Sequence, residues 1–251
     1  MKNTPAIYLI SLKSEIERRE KLKAQFPLSY NTINLIDAID KNTISSNDYF
    51  QAMMNTQKRL GKIISPAELA CARSHLIAIQ KFLESTYTHC LILEDDIIGT
   101  EQELEKALDA TSQTSGNSII FCGTHINRRH NKYITPPREK AKKINFLERH
   151  FIAGAFSYGL TRGAAQNITK KQRQATYRSD HWISLAQNLD IYIIDALKHP
   201  ENYNNSHIES ERQVLHKKTI EKIRHDGLGA TITKNLSKIL ILAYQNIRRK
   251  S

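Results

Sequence analysis

The sequence contains no apolar stretch long enough for a membrane-spanning helix, and nothing near Met1 reads as a secretory signal. An integral membrane protein is therefore disfavoured and a cytoplasmic one expected. Cysteine is scarce: Cys71, Cys90 and Cys122 are odd in number, lack metal-ligand spacing and stand among apolar residues. They are expected to be reduced packing residues rather than a disulfide framework. No internal repeat or low-complexity tract is visible, which sets aside solenoids and disordered linkers.

What remains is the composition of an ordinary globular protein. With 251 residues, 40% hydrophobic and 25% charged, the chain can bury one substantial core plus a small appendage. The formal net charge of +12 is unevenly spread: residues 125–150 carry eight Lys/Arg against two acids, and residues 217–250 carry nine against two. Such surfaces attract nucleic acid, anionic lipid or phosphorylated ligands, and charge alone does not choose among them.

Strand-like and helix-like segments alternate, which predicts an α/β fold. Residues 6–12 read as a buried strand, and Ser14 with Glu17 has the spacing of a capped helix start. Residues 34–40 suggest a second strand, and residues 41–62 read as an irregular loop over the site. Ser65-Pro66-Ala67-Glu68 predicts a helix start with a capping box, continued by Leu69, Ala72, Leu76, Ile79 and Leu83 on one face. Thr100 and Glu103 open another helix. Strands are expected at 118–122, 156–160 and 190–195, with Thr161 capping a helix after the second. Residues 123–150 read as irregular, with Pro136-Pro137 blocking regular structure. From Glu209 onward Ile232, Leu236, Leu240, Ala243 and Ile247 share one helical face flanked by basic residues. That stripe suits either an anionic membrane surface or the protein's own core. The expected organisation is a main domain over 1–208 and a basic helical tail over 209–251.

The segment Cys90-Leu91-Ile92-Leu93 ends abruptly in Glu94-Asp95-Asp96. Three adjacent acids repel one another, and at the carboxyl end of a buried strand a bound cation relieves that repulsion. Oxygen ligands suit Mg²⁺ or Mn²⁺, which points to a phosphorylated ligand and argues against nucleic acid as the main partner. A solvated acidic turn is the plain alternative.

Several segments together resemble glycosyltransferase family 25, the lipooligosaccharide galactosyltransferases. They are Ile7–Leu12 with Glu17-Arg18-Arg19, Ile64–His75, Leu91–Asp96, Ser157–Ala165 and Ser179–Trp182. The resemblance implies a GT-A-like sheet flanked by helices, a UDP-sugar donor (UDP-galactose), Mn²⁺ or Mg²⁺, inversion at the anomeric carbon, and an oligosaccharide or glycolipid acceptor. The family's short acidic signature reads Glu94-Asp95-Asp96 here. It leaves open which two carboxylates touch the metal: Asp96, last of the trio, is the first candidate, Glu94 on the same side of the strand the second, directly or through water, and His207 a candidate late metal or phosphate contact. Asp95, Arg18, Glu68, Ser74 and His75 are its candidate donor-binding residues. Asp180 is the candidate base, before a Trp182 whose ring offers a face to a sugar. Each has a plain alternative: Glu68 caps a helix, His75 is a satisfied core histidine, Asp180 caps the helix after it, and one of Arg18 and Arg19 is merely solvated.

Overall fold

The protein is represented by a computed structural model that describes residues 4–125, 135–145 and 147–200. Seven strands form one sheet: β1 (Ala6–Ser11), β2 (Asn34–Asp37), β3 (His89–Glu94), β4 (Ser118–His125), β5 (Lys142–Lys143), β6 (Ser157–Thr161) and β7 (Asp190–His199). Their order across the sheet is β2-β1-β3-β6-β4-β7-β5. β1, β2 and β3 are mutually parallel; β6 runs antiparallel to both β3 and β4, so β4 and its parallel neighbour β7 share the direction of β1 to β3. The carboxyl ends of five strands thus open on one edge of the sheet, and β6 begins there.

Helices cover both faces. Alternation along the strands sends Tyr8, Ile10, Cys90, Ile92, Ile119 and Phe121 to one face, where α3 (Pro66–Glu84), α5 (Arg162–Gln174) and α6 (Trp182–Leu185) pack. The intervening Ile7, Leu9, Leu91, Leu93, Ile120 and Cys122 face α1 (Ile16–Gln25) and α4 (Glu101–Ser112). Both faces being covered explains why these strands read as continuous apolar runs. Each fully buried leucine contributes about 1.5–3 kcal/mol by leaving water.

The local signals behave as physical chemistry requires where they are self-contained. Ser65 and Glu68 form a reciprocal capping box with Pro66 in the first turn of α3, and Thr100 and Glu103 do the same for α4. Thr161 caps α5, and Arg162 beside it donates to the carbonyls of Phe82, Leu83, Ser85 and Tyr87. One side chain thereby satisfies two orphan carbonyls of the last turn of α3, Phe82 and Leu83, and two just beyond it.

Three expectations are corrected. Residues 41–62 are no loop: Ser45 caps α2 (Ser46–Leu60), and Gly61, in the left-handed region at φ 63°, ends it. Arg73 clamps this helix by paired bonds of 2.7 and 2.9 Å to Asp48, and Tyr49 donates to the carbonyl of Ile64. Ser14 and Glu17 form no capping box, because α1 starts two residues after Ser14 with no side-chain cap. Arg19 ties the preceding turn instead, donating to Ser11 Oγ and to the carbonyls of Leu12 and Lys13, while Glu17 pairs with Lys21. Finally, β7 runs on to His199 rather than stopping at Asp195, and this extension reaches the acid trio. The expected boundary at residue 208, the basic helix beyond it and His207 lie outside the described residues.

Candidate active site

The strand period ends with β3 at Glu94, so the shared side expected for Glu94 and Asp96 does not hold. The chain turns there and the acids part. Glu94 Oε1 lies 3.0 Å from His75 Nε2 on α3. Asp95 accepts from Arg18 at 3.0 Å, and the same guanidinium lies 3.9 Å from Asp96. Asp96 Oδ2 in turn meets His199 Nε2 at 3.1 Å. Ile98 and Lys198 exchange both backbone hydrogen bonds at 2.8 Å, which fixes the loop after the trio against the end of β7. The solvated alternative expected for one of the two arginines is therefore replaced: Arg18 serves the acids and Arg19 the turn.

The electrostatics follow from these partners. Burial alone pushes the Asp96 carboxyl up, yet the His199 hydrogen bond and charge hold it below its ordinary range. Burial works against the charged form of His199, and Asp96 reverses that, so the imidazole titrates above its usual value. Asp95 is raised, chiefly by burial, against the opposing bonds from Ser11 and Arg18.

A divalent cation fits this corner. Asp96 Oδ1 is buried and finds no hydrogen-bond partner among the described residues, an arrangement that is costly unless something positive binds it. Nδ1 of His199 lies 3.0 Å from the carbonyl of Pro200, the contact that orients an imidazole so its Nε2 can ligate. The Asp96 carboxylate beside the His199 imidazole, completed by oxygen ligands, would suit Mn²⁺ or Mg²⁺. His199 went unnoticed in the sequence, where only the end of an apolar run marked it.

The remaining candidates form a second group. Ser74 is buried and fully engaged, donating to Ala70 O and accepting from Ile39 N–H at 2.8 Å each. Glu68, also buried, uses Oε2 for the capping box and Oε1 for Arg178 at 3.5 Å. Arg178 Nε lies 3.6 Å from Asp180 Oδ1, so one guanidinium sits between both carboxylates. Asp180 is not a helix cap: His181 holds that position before α6, with no side-chain capping bond. Ser179 joins the two groups, its Oγ 3.2 Å from Cys71 Sγ one turn before His75.

Two sequence expectations fail here. Trp182 offers no face to a sugar, because it is buried, donates its indole N–H to Gly154 O at 2.6 Å and packs edge-on against Phe121 and Tyr158. Its apolar area gains more from the core than from an open cleft. Cys71 is no apolar packing residue: it is half-buried beside Ser179 and His75, whereas Cys90 and Cys122 are buried with their thiols pushed up by burial, Cys122 to about 12.

Residues 4–183 match the model of a family described as "Glycosyltransferase family 25 (LPS biosynthesis protein)". Comparison with curated protein sequences gives no match at significance. Among solved structures, glucosyl-3-phosphoglycerate synthase from Mycobacterium tuberculosis, in complex with Mn²⁺, UDP and phosphoglyceric acid, is similar at 8% identity. The match covers 89% of this chain and 78% of that one, with a TM-score of 0.41. Inositol-1-phosphate CTP transferase from T. maritima is similar at 11% identity over 90% of this chain and 99% of that one, TM-score 0.42. The galactosyltransferase LgtC with donor and acceptor sugar analogues is similar at 10% identity over 92% and 95%, TM-score 0.40.

Proposed function

The chain belongs to glycosyltransferase family 25, and from that premise we propose that it transfers galactose from UDP-galactose to a hydroxyl of a lipooligosaccharide, with inversion and with Mn²⁺ or Mg²⁺. That it is a glycosyltransferase with a GT-A-like mixed sheet follows from the family; donor, stereochemistry and metal are the proposal. The observation that carries it is the buried, unpartnered Asp96 Oδ1 beside His199, at the edge where five strands end.

In this reading Asp96 and His199 hold the cation, which supplies positive charge for the donor's diphosphate. Arg18 orients Asp95 toward donor hydroxyls and adds positive charge beside the phosphates. Asp180 takes the proton of the acceptor hydroxyl as its oxygen bonds to the anomeric carbon, while the bond from that carbon to the diphosphate breaks and UDP leaves. Arg178, set between Asp180 and Glu68, holds the base in place. Glu94 and Ser74 support the site through His75 and Ile39.

A lipid-linked acceptor places the enzyme at a membrane surface, and we propose peripheral attachment on the cytoplasmic side. No helix among the described residues is long and apolar enough to cross a membrane. On α2, Phe50 and Met54 are 55% and 66% exposed one turn apart, with Lys58 and Arg59 exposed on the next turn, a pattern suited to an anionic lipid surface. Incubating the enzyme with a set of UDP-hexoses and a truncated lipooligosaccharide, with and without chelator, tests the proposal. Galactose transfer that is lost on chelation and restored by Mn²⁺ is expected. Turnover of another UDP-hexose in preference would replace the donor, and chelator-resistant transfer would remove the metal.

A further inference from the structure

Outside the acid pair and its histidine, one group of side chains has donors placed for a different ion. Cys71 and His75 lie four residues apart on α3 and so share a face of that helix, and Glu94 meets them from the end of β3. One ligand atom from each, namely the Cys71 sulfur, a His75 nitrogen and a Glu94 oxygen, lies within 4.8 Å of the other two. Ligands bound at 2.0–2.3 Å around a tetrahedral Zn²⁺ stand roughly 3.3–3.8 Å apart, so a small inward adjustment closes the set.

The surroundings agree. His75 Nδ1 is 2.9 Å from Tyr158 Oη, and burial pushes that phenol up to about 12, so it remains a neutral hydroxyl able to accept from Nδ1–H. With Nδ1 held by Tyr158, Nε2, 3.0 Å from Glu94 Oε1, is the nitrogen that can ligate once its proton leaves, which is how ligating histidines are oriented. Ser179 Oγ stands 3.2 Å from the sulfur, and a small cavity of about 10 Å³ lined in part by His75, Tyr158 and Ser179 adjoins the group. Donor chemistry separates this group from the Asp96 and His199 corner: the Cys71 thiolate, which that corner lacks, favours Zn²⁺ over Mn²⁺ or Mg²⁺.

We propose that Cys71, His75 and Glu94 bind one Zn²⁺, separate from the cation at Asp96 and His199. On binding, the Cys71 thiol and the His75 Nε2–H each release a proton to solvent, and the sulfur and the nitrogen bond to the metal. The hydrogen bond between His75 and Glu94 is replaced by a bond from each to the ion. The ion then ties α3 to the end of β3.

Cobalt is the probe, because thiolate ligation to Co²⁺ gives a near-ultraviolet charge-transfer band that carboxylate and imidazole ligation do not. Reduced, chelator-treated full-length protein with no nucleotide sugar present should develop the band with one equivalent of Co²⁺ and lose it to one equivalent of Zn²⁺, but not to excess Mg²⁺. Cys71→Ser should remove the band and weaken Zn²⁺ binding by at least about a hundredfold while far-ultraviolet circular dichroism is unchanged. Glu94→Gln should keep the band but weaken Co²⁺ binding at least about tenfold, which gives a second reading if Cys71→Ser folds poorly. Absence of the band at one equivalent, its persistence in folded Cys71→Ser, or unchanged affinity in Glu94→Gln would each overturn the proposal. None of these readings depends on sugar transfer, so failure of the galactosyltransferase reading stays distinguishable.

Discussion

Asp96 Oδ2 and His199 Nε2 lie 3.1 Å apart although 103 residues separate them, one at the turn after β3 and the other at the end of β7. The reciprocal bonds between Ile98 and Lys198 make this meeting a property of the sheet rather than of two flexible side chains. In the proposed site both residues ligate the same cation, and when it is away a protonated His199 supplies the positive charge beside Asp96.

Asp96→Ala should therefore abolish transfer, while the fold survives because the carboxylate sits at the sheet edge and not within either core. His199→Ala should raise the Mn²⁺ concentration needed for half-maximal activity at least about tenfold. Metal titrations of activity, with melting curves on each variant, check both. Near-normal Mn²⁺ dependence in folded Asp96→Ala would sink the assignment.

Asp180 makes a different demand. Asp180→Asn keeps its shape and its place beside Arg178 but cannot take a proton, so kcat should fall by about a hundredfold or more while UDP-sugar affinity barely moves. Steady-state kinetics together with calorimetric donor binding separates the roles. A variant with weakened donor binding and unaltered kcat would mark Asp180 as a donor contact.

How far the sequence revealed these features depends on how local their causes are. The capping boxes at Ser65 and Thr100 were legible because the bonded residues are three apart, and the buried strand Leu91–Leu93 because both sheet faces are covered. The candidate acids stood out because they end that strand. His199 did not, since nothing near it in the chain hints at Asp96. Arg18 was marked as a candidate, but its partner Asp95 is 77 residues away. α2 was missed although Ser45 and Gly61 punctuate it, because only Thr56 on it is fully buried and its apolar stripe is thin. Trp182 was misread for the opposite reason: an aromatic beside an acid looks like a sugar platform until Gly154, Phe121 and Tyr158 close around it.

That burial gives Trp182 a structural signature. Trp182→Ala should cost about 3–5 kcal/mol, from lost transfer energy and the cavity left behind. Trp182→Phe should lose mainly the indole hydrogen bond to Gly154, about 1 kcal/mol, and keep the KM for acceptor. Denaturant melts and acceptor kinetics on the phenylalanine variant decide it; a large rise in acceptor KM without loss of stability would restore the sugar-platform role.

The clamp between Arg73 and Asp48 supplies a pH dependence that can be assigned to one pair. The Arg73 hydrogen bond holds the Asp48 carboxyl below its ordinary value of 3.8, so the folded state binds its proton less readily than the unfolded chain. The sign follows from linkage: stabilisation from this pair is fully present above the unfolded pKa and is lost as pH falls through the depressed folded value. Asp48→Asn removes the titration, so its melting temperature should lie below that of the parent near neutral pH, with the gap shrinking as pH falls from about 5 toward 3. Because Asp48 is solvent-accessible, raising the salt concentration should narrow the gap at neutral pH as well. Melting curves across that range at low and high salt test the pair. A gap independent of pH would mean that Asp48 steadies α2 through packing or helix capping and not through its charge on Arg73.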